Sequence, residues 1–288
     1  MNERGRYQSL RVHMTAPVRQ GRHIIANGIR LHYIKFTSGL PPLVLLPGIT
    51  SPAATWEFVA ERLAVFFDVY VLDIRGRGLS QGGENLSYLL DDYAADVEGF
   101  NREIGLEKPV VLGHSMGARI AIRFARRYPA QMGELILVDP PVSGPGRRSY
   151  PVALEFYLDS LELVSRGEGL DEMRKKLPWS PEKLEQRMQW LPTCDRTAII
   201  ESYKSFHDED IHSDLPELPM RTLLLYAEYG DTVTDKEADE LAMMIKHCKK
   251  QRIDGAGHMI PWDRLDAFVA AISNFFGKPL ASNLSAGV

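Results

Sequence analysis

The chain has 288 residues, 44% of them hydrophobic and 25% charged, with a formal net charge of −4. That balance supplies apolar surface for one large globular core and excludes a basic nucleic-acid-binding field or a cationic membrane face. Its two cysteines, Cys194 and Cys248, exclude a disulfide framework or a thiolate zinc cluster and fit a reducing cytoplasm. No apolar run of transmembrane length and no signal-peptide core is found, so neither a membrane nor a nucleic acid is an expected partner.

Residues 1–20 are arginine-rich and aperiodic and read as a mobile arm. From His23, two alternating runs flank Asn27-Gly28, a hairpin signal because both residue types accept the positive φ of a primed turn. A buried strand over 43–46 breaks into a Pro47-Gly48 loop, followed by an expected helix over 54–65 and a strand over 67–72. A glycine-rich loop (DIRGRG, 73–78) and an amphipathic helix over 88–104 come next. Further strands are expected over 135–138, 222–226 and 250–253, with helices over 235–246 and 264–276. Apolar strands alternating with helices predict an α/β fold with a mostly parallel sheet flanked by helices on both faces.

Between the strands at 135–138 and 222–226 only helical pieces are expected, over 152–166, 170–177, 181–191 and 197–207. An all-helical insertion there predicts a cap over the C-terminal edge of the sheet, where open α/β sheets bind ligands. The expected organisation is an arm at 1–20, a core from 21–142 and 220–288, and a helical cap (lid) at 143–219.

The stretch PVVLGHSMGARIAIRFA at 109–125 carries the clearest chemistry. G-x-S-x-G at a strand-to-helix corner is a nucleophile elbow, whose sharp turn lifts the Ser115 hydroxyl over the sheet edge. Gly113 and Gly117 leave room where a Cβ would collide with a neighbouring element. In the helix that follows, Ala118, Ile122 and Ala125 form the apolar side, with Arg119, Arg123 and Arg126 largely on others. A serine hydroxyl needs a base, and the base needs an orienting acid. In the elbow's chain order the base lies downstream of the acid, which selects His258 in the GAGH loop after the last strand. Asp139 and Asp231, each following a strand, both fit as the acid, and spacing leaves the choice open. The backbone N–H groups of Met116 and Ile49 are the expected oxyanion donors. No metal-ligand motif appears and no cofactor is called for.

The segments LPGIT, DIRGRGLS, GHSMGAR and GAGHMIPWD together resemble the α/β-hydrolase superfamily. More narrowly, LVDPPVSGPGRRSYP, GITSPAATWEFVAERL, TCDRTAIIESYKSFHDEDIH and AGHMIPWDRLDAF are similar to the N-formylmaleamate deformylases of aerobic nicotinate degradation, from about residue 23 to 279. The resemblance implies that the aspartate of VDPP, Asp139, is the triad acid, with Asp231 at the superfamily's more usual position as the alternative. It also implies a small, cis-configured substrate carrying an N-formyl amide and a carboxylate, cleaved to maleamate and formate through a formyl-serine ester. A carboxylate calls for a guanidinium fork, and Arg147-Arg148, a few residues after Asp139, are the candidates. Tyr150, Trp190 and His207 are further candidate pocket residues. Esterase or lactonase action, another linear-amide hydrolysis and carbon–carbon bond hydrolysis would use the same triad. A non-catalytic ligand receptor would break it. The state of assembly, monomer or homodimer, is left open.

Overall fold

Asn27 and Gly28 turn the chain back on itself with φ of 49° and 74°, and β1 (Val18–Ala26) pairs antiparallel with β2 (Ile29–Thr37) across them. The structure, a computed structural model, describes residues 17–277 apart from Pro178. Most of the arm expected at 1–20 lies outside the described residues. Its last part is no arm, because Val18, Arg19 and Gln20 pair with Thr37, Phe36 and Lys35 and open β1 upstream of His23. As an edge strand, β1 is solvated over most of its length and so lacks the apolar alternation that would announce it.

β3 (Pro42–Leu46), β4 (Asp68–Asp73), β5 (Val110–His114), β6 (Leu135–Val138), β7 (Thr222–Ala227) and β8 (Cys248–Ile253) complete an eight-stranded sheet. Its order is β1-β2-β4-β3-β5-β6-β7-β8, parallel from β4 to β8 with the first hairpin antiparallel at one edge. The helices are α1 (Glu57–Leu63), α2 (Leu90–Ile104), α3 (Met116–Arg127), α4 (Leu154–Ser165), α5 (Leu170–Lys176), α6 (Pro181–Trp190), α7 (Arg196–Asp208), α8 (Asp235–Met244), α9 (Ile260–Asp263) and α10 (Leu265–Phe275). The helix expected over 54–65 is split, a 3-10 turn at Ala53–Trp56 preceding α1.

Alternate residues of each central strand feed two cores. Leu43 and Leu45 pack with Val59 of α1 and Phe268 of α10, whereas Val44 and Leu46 pack with Phe100 of α2 and Ile120 of α3. Helices α4 to α7 leave the sheet after β6 and return at β7, its immediate neighbour. They cross the C-terminal side of the sheet, where the Gln186 amide of α6 donates to the Ala54 carbonyl at 2.6 Å and Lys183 Nζ to the Trp262 carbonyl at 3.2 Å.

Arg119 departs from the sequence reading, which set it apart from the apolar side of α3. It is fully buried and donates to the carbonyls of Pro141, Ser143, Ser205 and Glu209 at 2.7–3.1 Å. The loop after β6 and the end of α7 close over that flank of α3 and offer it carbonyl oxygens in place of water. Burial pulls its pKa down to about 10.

The elbow packs at backbone contact. A Cβ on Gly117 would lie 2.0 Å from the Leu46 carbonyl oxygen, and one on Gly113 would lie 2.2 Å from the Gly117 carbonyl oxygen. Both obstacles are backbone and cannot swing aside. Gly117→Ala is therefore expected to destabilise the chain by about 1–3 kcal/mol or more, read as a fall in urea midpoint, while Gly146→Ala, with open space around it, strains only its own backbone.

Candidate active site

The residue at the elbow corner pays a conformational cost to reach its position. Ser115 has φ 54° and ψ −120°, a region that L-residues avoid. That backbone points the hydroxyl away from the sheet, and Oγ lies 3.0 Å from His258 Nε2. His258 follows the Ala256-Gly257 corner after β8, and its Nδ1 lies 2.6 Å from Asp139 Oδ2. Asp139 also has a positive φ, 47°, and is completely buried, with its other oxygen accepting the Ala227 N–H at 3.2 Å. Asp139, left open against Asp231 by spacing, is thus the aspartate that meets the imidazole. Asp231 is exposed and makes no hydrogen bond to His258 among the described residues. A buried carboxylate holding Nδ1–H leaves Nε2 free to accept a hydroxyl proton, so this chain of bonds can activate a serine.

The Ile49 and Met116 N–H groups donate to no protein acceptor among the described residues. Arg77, 1% exposed, braces both residues: Nε donates to the Ile49 carbonyl at 3.0 Å and Nη2 lies 3.7 Å from Met116 Sδ. His114, just before the serine, donates from Nε2 to the His258 carbonyl at 3.0 Å and so anchors the histidine loop. Its Nδ1 is buried with no hydrogen-bond partner among the described residues, and burial, helped by the neighbouring His258, pushes its pKa down to about 3.

A cavity of about 180 Å³ opens over Ser115 and His258, smaller than the ~300–1,000 Å³ typical of drug-sized ligands. Gly48 to Ser51 form its floor, with Val152, Phe156, Tyr157, Trp179 and Arg187 supplied by the segment between β6 and β7.

A family model described as alpha/beta hydrolase fold matches residues 41–265 of this chain. The chain belongs to the α/β hydrolase family. The N-formylmaleamate deformylase of Pseudomonas putida is 47% identical over 261 residues, covering 90% of this hydrolase and 97% of the relative. The crystal structure of the N-formylmaleamic acid deformylase Nfo from Pseudomonas putida S16, a serine-to-alanine variant, superposes with a TM-score of 0.85 at 47% identity, covering 88% of this chain and all of the other (100%). The crystal structure of an E-2-(acetamidomethylene)succinate hydrolase shares the fold, at TM-score 0.75 and 20% identity over 90% of this chain and 100% of that one.

Several residues singled out in the sequence of the hydrolase lie elsewhere. Arg147 forms a fork with Glu240 (2.7 and 3.1 Å) and Arg148 one with Glu237 (2.5 and 2.8 Å), both on α8 and outside the cavity. The loop after Asp139 carries them past the site to a helix that neutralises them. Burial opposes ionisation of Glu237, but Arg148 and the Thr234 N–H and hydroxyl outweigh it and hold that carboxyl down to about 2. Trp190 packs against the α1–α10 core, and of the two tryptophans between β6 and β7 it is Trp179 that reaches the cavity. His207 is a support, its Nε2 accepting the Tyr150 N–H at 3.3 Å. Tyr150, by contrast, is at the site: it is buried with its hydroxyl 3.1 Å from that of the cavity residue Tyr157 and in hydrogen-bonding reach of Ser115, and burial, above all, raises its phenol pKa.

Arg187 was not legible. It lies in an ordinary amphipathic stretch, and the seating of α6 against the Ala53–Trp56 turn is what brings it into the cavity wall beside Thr50.

Two outcomes follow. Arg147→Ala and Arg148→Ala should leave KM within about twofold of wild type and cost no more than ~1 kcal/mol each, as half-exposed ion pairs do. His114 titrates at about 3 in the folded chain against the usual 6.5, so the unfolded chain takes up a proton that the folded chain refuses. Stability is therefore lost as pH falls through this window. Between about pH 6 and pH 4, urea titrations of His114→Gln should fall less steeply than wild type by ~1.4 kcal/mol per pH unit.

Proposed function

We propose that this hydrolase cleaves the N-formyl amide of N-formylmaleamate, giving maleamate and formate. The observation that carries this reading is the 47% identity with the Pseudomonas putida deformylase over 97% of that relative. A hydrogen-bonded Ser115–His258–Asp139 chain under a small cavity supports it.

Ser115 Oγ attacks the formyl carbon, the least hindered carbonyl of the substrate, as His258 Nε2 takes the hydroxyl proton. Asp139 holds Nδ1–H and stabilises the imidazolium without taking the proton itself. The negative charge develops on the formyl oxygen between the Ile49 and Met116 N–H groups, donors of a kind worth about 2.7–4 kcal/mol each in the transition state. As the tetrahedral intermediate collapses, His258 returns its proton to the leaving nitrogen. The neighbouring acyl group delocalises charge on that nitrogen and makes it a better leaving group than an amine. Maleamate departs, leaving a formyl ester on Ser115. Water deprotonated by His258 then attacks the ester; as this second tetrahedral intermediate collapses, His258 returns the proton to Ser115 Oγ and formate is released.

The segment between β6 and β7 acts as the cap, placing Val152, Phe156 and Trp179 where they keep bulk water from the intermediate. Both cysteines are free thiols, which supports a cytoplasmic setting.

Formate release from N-formylmaleamate, measured beside hydrolysis of a simple aryl ester, tests the reading. Wild type should favour the formyl amide, and Ser115→Ala should abolish its turnover. Asp139→Asn should lower kcat by about 10⁴-fold, as expected when the imidazole loses its orienting anion, while Asp231→Asn should be near neutral. Ester turnover without formate would leave the triad in place and overturn the substrate.

A further inference from the structure

Among the described residues, three buried arginines and the partly buried Arg187 are held very differently. Arg75 is bonded by both carboxylate oxygens of Asp96, each at 2.6 Å, and Arg119 by four carbonyls at 2.7–3.1 Å. Arg77 has oxygen partners at 2.7–3.2 Å, from the Ile49 and Arg75 carbonyls to the Tyr93 and Ser202 hydroxyls. Arg187 has only two long contacts, Nη1 to the Thr50 carbonyl and Nη2 to the Thr50 hydroxyl, both at 3.4 Å. No Asp or Glu forms an ion pair with it among the described residues, and it is partly buried.

A guanidinium taken out of water costs several kcal/mol unless an anion or a full set of acceptors compensates it. Arg75, Arg77 and Arg119 are compensated by the protein. Arg187 is not, and it lines the cavity that contains Ser115 and His258. The rest of the cap wall there, Val152, Phe156, Tyr157, Leu177 and Trp179, carries no charge, and its one hydroxyl, that of Tyr157, is 3.1 Å from the Tyr150 hydroxyl.

We infer that Arg187 and the Thr50 hydroxyl form a carboxylate seat, and that occupation of this seat is what selects the acid substrate. The inference rests on the function proposed above for the identity of that acid, but the seat is defined by the cavity alone. A carboxylate between the fork and the hydroxyl would exchange two long contacts for short, charge-assisted bonds. The position also sets the shape of the ligand. Thr50 is the residue after Ile49, whose N–H faces the developing oxyanion, so the two ends of the substrate are held by adjacent residues about 3.8 Å apart at Cα. A short acid that folds its carboxylate back toward its amide fits this spacing, as a cis-alkene does. Because α6 carries Arg187, a seated carboxylate also ties the cap to the loop after β3.

The test compares wild type, Arg187→Gln and Arg187→Lys in three measurements: kcat/KM for N-formylmaleamate, kcat/KM for its neutral methyl ester, and inhibition of aryl ester hydrolysis by maleate. Melting temperatures check folding. Arg187→Gln should cut the acid-to-ester preference by roughly 10–100-fold, mostly through KM, and weaken maleate inhibition to a similar degree. Arg187→Lys should restore part of both, since it keeps the charge and loses the fork. Equal losses on acid and ester, with maleate inhibition unchanged, would overturn the seat and make Arg187 a structural residue. If wild type released no formate, the deformylase reading would fall, and the maleate measurement would still decide the role of Arg187.

Discussion

The close passage of α3 under the end of β3 is the constraint on which the site depends. Gly117 lies against the Leu46 and Pro47 carbonyls with no space for a methyl group, while a Cβ on Gly48 would only touch the His114 ring and the Ser115 side chain, at 3.3 and 3.4 Å. Backbone contact at that point places the first N–H of α3 beside the loop carrying Ile49. Ile49 and Met116, from segments far apart in sequence, are thereby brought near Ser115, whose backbone is held in a strained conformation.

Around that point the protein relies on buried arginines as cross-braces. Arg77 links the loop of Ile49, the elbow and the start of α7, while Arg119 links α3 to the loop after β6 and to the end of α7. Each presents several N–H donors to carbonyls that loops cannot satisfy for themselves, so irregular backbone is kept dry without being left unpaired. The pattern makes the cap and the core one polar-bonded unit at α7. At α6 the attachment is looser, through Gln186, Lys183 and the long contacts of Arg187.

Local chemistry was legible where one short stretch decides it. Asn27-Gly28 dictates its turn, the glycines around Ser115 dictate the elbow, and GAGH after the last strand places the histidine. The strands β3, β5 and β6 are apolar on both faces and announce themselves for that reason. Choices that depend on distant packing were not legible. Asp139 and Asp231 follow neighbouring strands and look equivalent in the chain, and only the similarity to deformylases separated them. Arg147 and Arg148 have the composition of an anion site, but their partners, Glu240 and Glu237, are fixed by how α8 docks. Arg187 has no local mark at all, because its meaning comes from the acidic residue that is missing near it.

The placement of the acid before the cap has a consequence for the order in which the chain becomes native. Asp139 is complete in the first half of the sequence, yet both of its protein partners, the Ala227 N–H and the His258 imidazole, come from beyond the cap. Until β7 lies down beside β6, the carboxylate has water for its only company and the strand end around it stays wet. Docking of the last two strands closes the apolar core and brings in both hydrogen-bond donors that hold this carboxylate, so the final third of the chain completes the Asp139 site. A nascent chain that has finished its cap but not β8 holds a serine in an elbow without the means to use it, and the protein acquires its reactivity only when its fold is sealed.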